Sequence, residues 1–489
     1  MDILLIEPPH VILKGGATDR GYNLGLTSLA AYLRTNGVET AVLTSDLLIE
    51  HPPTNILKDP LSLIVPGWLR ISTAELATRQ QDVARIVDEP DHVIWRNLSD
   101  VIIKTKPRAV GISYLTPMAG IVKKVVSLVK SINSDIKVVV GSYHPTFHPE
   151  EILRNPEIDF VVIGEGEIPL LSLVQEIKRD SPKWEIVPSI YYRSNDGQIR
   201  STSPADRVAD LDSLPFPARD LVMYSDYDFY RVHPVITARG CPYKCSFCAD
   251  VRFWYGKVRR RSVESVLEEL MFLKETYNKI DYVDFVDGTF TYDRRYLETF
   301  CRALIEHKLN ISWRCFARYD TVDGDILKLM RKAGCSVLYF GLESGSDHVL
   351  LNVNKGITVE KIIETSEVVR KSGIVSITSV LLGLPSESKE DIEETIRVMR
   401  GFETDFLDVH TFVPLAGTPF YESLSLEERD SIDWNRVGYK SWENYFTDNM
   451  TLEELNNYQC QAYKIADKRR KKSLIRLGSR MLLRLITKK

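Results

Sequence analysis

Two series of short apolar runs alternate with amphipathic stretches along the 489 residues, and a Pro-rich link, Leu214-Pro215-Phe216-Pro217, separates them. This predicts an α/β fold. A doubly wound, Rossmann-like parallel sheet comes first, then a partial β/α barrel of six units, then a small helical C-terminal region. The chain is too long for one core, which agrees with two or three domains. The expected boundaries are 1–200 for the first domain, 201–232 for a linker, 233–425 for the barrel and 426–489 for the helical region.

Residues 2–6 are an apolar run short enough for a buried strand. A helix is expected over 24–36 with Gly37 as its stop, and a strand over 40–43. Residues 46–75 are Pro-rich and read as irregular. Helical periodicity returns over 91–104, followed by a strand at 110–113, a helix at 121–132 and strands at 138–140 and 160–163. Gly164-Glu165-Gly166-Glu167 leads into a helix at 169–177, and 189–200 reads as a hairpin turning at Asn195-Asp196-Gly197. The second series predicts strands at 235–238, 282–286, 311–316, 336–341, 375–382 and 406–413, with helices near 262–276, 293–308, 323–333, 358–372 and 388–400. Six units are too few for a closed eight-stranded barrel.

A net charge of −4 gives no general pull toward nucleic acid. The N-terminus has no basic segment followed by an apolar stretch, and no apolar run approaches the ~20 residues of a spanning helix. Seven cysteines, with Cys301, Cys315, Cys335 and Cys460 scattered, suit a reducing compartment, so a cytoplasmic location is expected.

Cys241, Cys245 and Cys248 fall on one short loop with CxxxCxxC spacing, directly after the first expected barrel strand. Three thiolates can hold three irons of a 4Fe-4S cluster and leave the fourth iron open to a ligand. Zinc is the alternative, but a structural zinc site needs four ligands, and only His233 stands near enough in sequence to be one. The spacing, with Phe247 before the last cysteine, resembles the signature of radical S-adenosylmethionine (SAM) enzymes. In that family the open iron chelates the amino and carboxylate groups of SAM. The resemblance extends over about 230–425, with the phrases FGLESGSD at 340–347 and GLPSES at 383–388. It implies that Asp287, before Gly288, accepts from the SAM ammonium, that Arg318 pairs with the SAM carboxylate, and that Gly341 and Glu343 lie near its methionine or ribose part.

The N-terminal unit resembles the cobalamin-binding domains that precede the barrel in class B radical SAM methylases. Ser113-Tyr114-Leu115 matches an SxL motif, Gly141-Ser142 stands where relatives have a glycine pair, GSYHPTFHPEEIL at 141–153 resembles the family's loop and helix, and Gly164-Glu165-Gly166 matches the next loop. Ser113, Leu115, Gly141, Ser142, Gly164, Glu165 and Gly166 are therefore candidate cobalamin contacts. Small residues suit a corrin and its nucleotide tail that must approach the backbone. The alternative is a Rossmann-like domain that keeps the fold without the cofactor. The DxHxxG motif that ligates cobalt in methionine-synthase-type domains is absent; Pro8-Pro9-His10 stands there instead. His144 and His148 read as loop residues rather than ligands.

Residues 468–489 hold ten basic residues and no acid. Lys472, Arg476, Arg480, Arg484 and Lys488 recur at i+4, opposite Leu474, Leu477, Met481, Leu482, Leu485 and Ile486. Such a helix either packs its apolar face on the core or lies on the inner face of an anionic membrane, in which case a lipid substrate is favoured. Taken together, the resemblance implies methylation of an unactivated carbon through a 5′-deoxyadenosyl radical and methylcobalamin. The cofactors would be a 4Fe-4S cluster, SAM and cobalamin, with a small-molecule or lipid substrate and a flavodoxin- or ferredoxin-like reductant. A non-methylating cyclisation or rearrangement is the alternative with the same cofactors.

Overall fold

The structure, a computed structural model, describes residues 1–9, 22–44, 71–223, 232–277 and 280–487. His10 and most of the Pro-rich stretch at 46–75 lie outside the described residues. The first sheet comprises β1 (Ile3–Ile6), β2 (Thr40–Leu43), β3 (Ala109–Ser113), β4 (Lys137–Gly141), β5 (Phe160–Val162), β6 (Ile190–Arg193) and β7 (Ile199–Ser201), in the spatial order β2-β1-β3-β4-β5-β6-β7. β1 to β5 are parallel, and the expected hairpin adds β6 and β7 antiparallel at the edge. Strand order reverses between β1 and β3, the place where doubly wound sheets open a crevice for ligands.

The second sheet follows. β8 (Val232–Val235) leads through short β9 (Ala238–Arg239) and β10 (Arg259–Arg260) to β11 (Tyr282–Phe285), β12 (Trp313–Ala317), β13 (Cys335–Glu343), β14 (Val375–Leu382) and β15 (Phe406–Thr411). Six parallel strands stand in sequence order from β8 to β15, and the helices between them cover one face, as expected of a partial barrel. The observed first strand lies three residues before the expected 235–238. Pro234 is tolerated because β8 is an edge strand, paired only with β11. The amides of Thr237 and Ala238 are taken by the Asp287 carboxylate (2.7 and 3.2 Å) instead of a neighbouring strand.

Two helices depart from expectation. Thr73–Asp88 begins inside the stretch read as irregular; Ser72 caps it by accepting from the Glu75 amide at 3.1 Å, a Ser-x-x-Glu start visible in the sequence. The C-terminal region is dominated by one 36-residue helix, Leu452–Thr487, opened by a Thr451–Glu454 capping box. This helix packs on the barrel. Leu474 and Leu477 sit against Val337, Ile377 and Phe406. Arg469 donates to the carbonyls of Thr404 (3.1 Å) and Met399 (2.8 Å), capping the helix Lys389–Gly401, and Arg476 pairs with Asp405. Over these residues the tail follows the packing alternative: Leu474 and Leu477 meet the barrel, and Arg469 and Arg476 have protein partners. Met481, Leu482, Leu485 and Ile486 have no described side chains. Among the described residues no helix is long and apolar enough to cross a membrane.

The two sheets are bound together. The chain after β15 returns to the first sheet, where Ala416, Tyr421, Trp434 and Val437 join its core, and the Ala416 amide donates to Thr116 (2.9 Å). A buried polar network crosses the linker: Arg219 pairs with Glu269 and with Tyr22, and Arg261 pairs with the other Glu269 oxygen. Burial opposes the Glu269 charge, but Arg219 and Arg261 hold its carboxyl below the usual range. The contribution is complete above the unfolded carboxyl value of about 4.3 and is lost as pH falls through the lower folded value. Replacing Glu269→Ala strands two buried arginines and is expected to cost about 3–5 kcal/mol. Thermal unfolding at neutral pH checks this, and a midpoint equal to the parent's would contradict it.

Candidate active site between the two sheets

The cysteine loop leaves β9 through Gly240. Its φ is +103°, and a Cβ at this position would collide with the Lys257 carbonyl, so only glycine fits. The loop is tied to the chain after β13: the Ser246 amide donates to the Val353 carbonyl (2.9 Å), and Asn354 donates to the Lys244 carbonyl (3.0 Å). Cys245 is buried, while Cys241 and Cys248 are partly exposed. Burial pushes the Cys245 and Cys248 thiols up, with Lys355 and Arg318 opposing at Cys245, so thiolates here call for a metal to hold them. Among the described residues no group of three His, Cys, Asp or Glu forms a single-ion cage, and His233 is buried against Tyr22 (3.2 Å) and Tyr277. The zinc alternative therefore lacks its fourth ligand. A cluster whose cysteines each bind a different iron needs no such convergence.

Around the loop, Arg318 stacks on Tyr243 (3.8 Å) and donates to Asp320 (2.9 and 2.8 Å) and to the Lys355 carbonyl (2.8 Å). Among the described residues its Nη1 and the Ser246 hydroxyl are buried without partners. Unsatisfied donors beside the cysteines fit a bound carboxylate and amino acid head. Glu343 sits at φ +62°, where β13 shifts register against β14, and binds Lys355 (2.7 Å) and Ser379 (3.3 Å). Gly341 leaves room for this pair, since a Cβ there would collide with the Glu343 carboxylate. Lys355 lies 5.9 Å over the Phe247 ring. Asp287 is buried after β11, and its oxygens accept from the Thr237 hydroxyl and the Thr237 and Ala238 amides. Gly288 lies against the loop, with the Cys241 Cβ 3.2 Å from where its own Cβ would be.

On the first sheet, a cavity of about 230 Å³ opens at the carboxyl ends of β1, β3 and β4. Ser113, Gly141, Ser142, Gly164, Glu165 and Gly166 all line it. Leu115 does not; it is 39% exposed, because the chain turns outward after β3. Arg239 and Arg259 (2.8 Å) hold the Glu165 carboxylate at the cavity's edge. His144 is buried against Thr116 (3.2 Å), and His148 binds Glu422 (3.1 Å), so both serve the packing of the return segment.

Ile236, Arg239, Phe253 and Trp254 also line this cavity, although they belong to the flanks of the cysteine loop. Arg239, two residues before Cys241, pairs with Glu165 and Glu167 of the first sheet. On the other flank Tyr143 donates to Asp250, accepts from the Trp254 indole (3.2 Å) and stacks on Phe253 (4.2 Å). Sequence reasoning missed Arg239, Tyr143, Lys355 and Ser379 as site residues; only Tyr143 fell inside a flagged segment.

Residues 235–399 match the family model of the Radical SAM superfamily, and residues 78–174 match that of the B12 binding domain. The chain is 30% identical over 379 residues to the uncharacterized methyltransferase PH0819 of Pyrococcus horikoshii, covering 77% of this chain and 82% of that one. It is 29% identical to the anaerobic magnesium-protoporphyrin IX monomethyl ester cyclase of Rubrivivax gelatinosus, over 73% of this chain and 66% of the cyclase. Its fold matches that of OxsB, a cobalamin-dependent S-adenosylmethionine radical enzyme solved with aqua-cobalamin and SAM bound, with a TM-score of 0.61 at 18% identity. That match covers 81% of this chain and 51% of OxsB, so the chain spans about half of OxsB.

Gly288→Ala places a methyl group against Cys241. It is expected to lower cluster affinity roughly tenfold or more, as outer-shell changes at metal sites do. Iron and sulfide content after anaerobic reconstitution checks this, with circular dichroism as the control for folding; full iron content would contradict it.

Proposed function

The chain belongs to the cobalamin-binding radical SAM family, and on that premise we propose that it methylates an unactivated carbon of a small molecule. The reading is carried by one observation: the cobalamin-side cavity and the cysteine loop share a wall, built from Ile236, Arg239, Phe253 and Trp254. When bound, the cluster supplies an electron for SAM cleavage and cobalamin supplies a carrier for the methyl group.

In this proposal Cys241, Cys245 and Cys248 hold the cluster, with Phe247 and Lys355 packed behind it. The free Nη1 of Arg318 receives the SAM carboxylate, and Tyr243 and Asp320 fix the guanidinium in place. Glu343, anchored by Lys355 and Ser379, presents an acceptor at the end of β13, beside the space left by Gly341. Ser113, Gly141, Ser142, Gly164 and Gly166 admit the cobalamin tail close to the backbone, while Glu165 holds the wall through Arg239 and Arg259. Asp287 acts through Thr237 and Ala238 as a positioning residue. An external one-electron reductant, such as a flavodoxin or ferredoxin, serves the cluster.

The similar identity to the magnesium-protoporphyrin cyclase supports a second reading, a cyclisation or rearrangement with the same cofactors. The two separate on turnover with CD3-labelled SAM and a cell-derived small-molecule extract. Methylation is expected to give a CD3-labelled product together with S-adenosylhomocysteine and 5′-deoxyadenosine. 5′-Deoxyadenosine alone would overturn it in favour of the second reading. Arg318→Ala is expected to weaken SAM binding by roughly ten- to a hundredfold, the effect of losing a charge-assisted pair of about 1.5–3 kcal/mol. Equilibrium dialysis with the cluster-loaded protein checks this, and unchanged affinity would remove Arg318 from the site.

A further inference from the structure

The concave face of the barrel carries groups that neither the cluster nor the cobalamin cavity uses. Alternation along β12 sends Trp313, Cys315 and Ala317 into the helix-side core and leaves Arg314 and Phe316 on the opposite face. Register sets Phe316 beside Tyr339 of β13, their rings 5.1 Å apart. The Tyr339 hydroxyl donates to Asp408 of β15 and lies 3.4 Å from Nε2 of His410. Tyr439 meets the His410 ring edge-on at 6.1 Å and stands within electrostatic reach of Cys248. A continuous belt thus runs from the barrel interior to the cysteine loop.

This belt borders open space. Phe316 is 38% and Tyr439 39% exposed. The opposite end is closed where Leu474 and Leu477 meet Val337, Ile377 and Phe406.

Asp408 accepts from Tyr339, from Lys440 and from Nε2 of His410 (2.8 Å). A carboxylate only accepts, so Nε2 carries a proton, and in that tautomer Nδ1 is the ring's acceptor. Nδ1 is enclosed, with no hydrogen-bond partner among the described residues. An acceptor left unsatisfied in a polar wall is costly until a ligand completes it.

We propose that this belt is the substrate subsite and takes a ring-bearing small molecule with a hydroxyl or N–H donor, its ring against Phe316 and Tyr439 and its donor on Nδ1 of His410. The inference rests on the radical SAM reading, which makes the space before Cys248 the reaction chamber.

The test uses size-matched probes on the holoenzyme: phenol against anisole, and indole against 1-methylindole, by ligand-observed NMR. The donor-bearing member of each pair is expected to bind about tenfold tighter, the effect of one satisfied hydrogen bond. His410→Phe should erase that preference while anisole still binds. His410→Asn, which keeps an acceptor near Nδ1, should retain it. Equal binding within each pair, a preference that survives His410→Phe, or no binding of any probe would overturn the proposal. Iron and cobalamin content confirm that each variant is intact. Failure of the radical SAM reading shows separately, as absence of SAM cleavage by the cluster-loaded parent protein.

Discussion

Arg239 is the contact on which the arrangement depends. It stands two residues before Cys241, and its guanidinium is largely enclosed between Glu165 and Glu167 of the other sheet. Burial opposes its charge, but the two carboxylates hold its pKa above the usual value. A cation taken out of water needs such partners, and they must come from a fixed direction. The pairing therefore sets where the cysteine loop begins relative to the first sheet. Glu165 is held again by Arg259 on β10, so both strands of the short β9–β10 ribbon are pinned to the same loop. On the far flank, the stacking of Tyr143 on Phe253 and its bond to Asp250 fix where the loop ends.

The remaining interdomain contacts reinforce this geometry and do not choose it. Arg219, Glu269, Arg261 and Tyr22 form a buried network whose net stabilisation is modest but whose disruption leaves charges uncompensated. The apolar return segment adds Tyr421 and Trp434 to the first core, and Gly417 lets Phe147 approach within the space a Cβ would occupy. The C-terminal helix seals the amino end of the barrel and the edge at β15, where Asp405 gathers Arg370 (2.7 Å) and Arg476. The two sheets are thus held together around the cysteine loop.

Much of this was legible in the sequence because parallel strands buried on both faces read as apolar runs. The strand and helix series and the cysteine loop follow from local pattern, and the small residues of the cavity from the family resemblance. What was not legible depends on partners distant in the chain. Asp287 looked like a free carboxylate because nothing local shows that Thr237 and Ala238, fifty residues earlier, claim its oxygens. Glu165 looked like a cofactor contact until Arg239 and Arg259 were placed beside it. The basic tail looked amphipathic, as it is; that its face meets the barrel floor is a tertiary fact. The start at Ser72 was legible and overlooked beneath the surrounding prolines.

In the proposed arrangement cobalt and cluster face each other across the wall that Arg239 fixes. Pulsed electron paramagnetic resonance on the holoenzyme, with cob(II)alamin and the reduced cluster both paramagnetic, tests this. Strong dipolar coupling between the two spins is expected, weakened when Arg239→Ala releases the wall. Two independent signals in the parent protein, with no mutual broadening or relaxation enhancement, would contradict it.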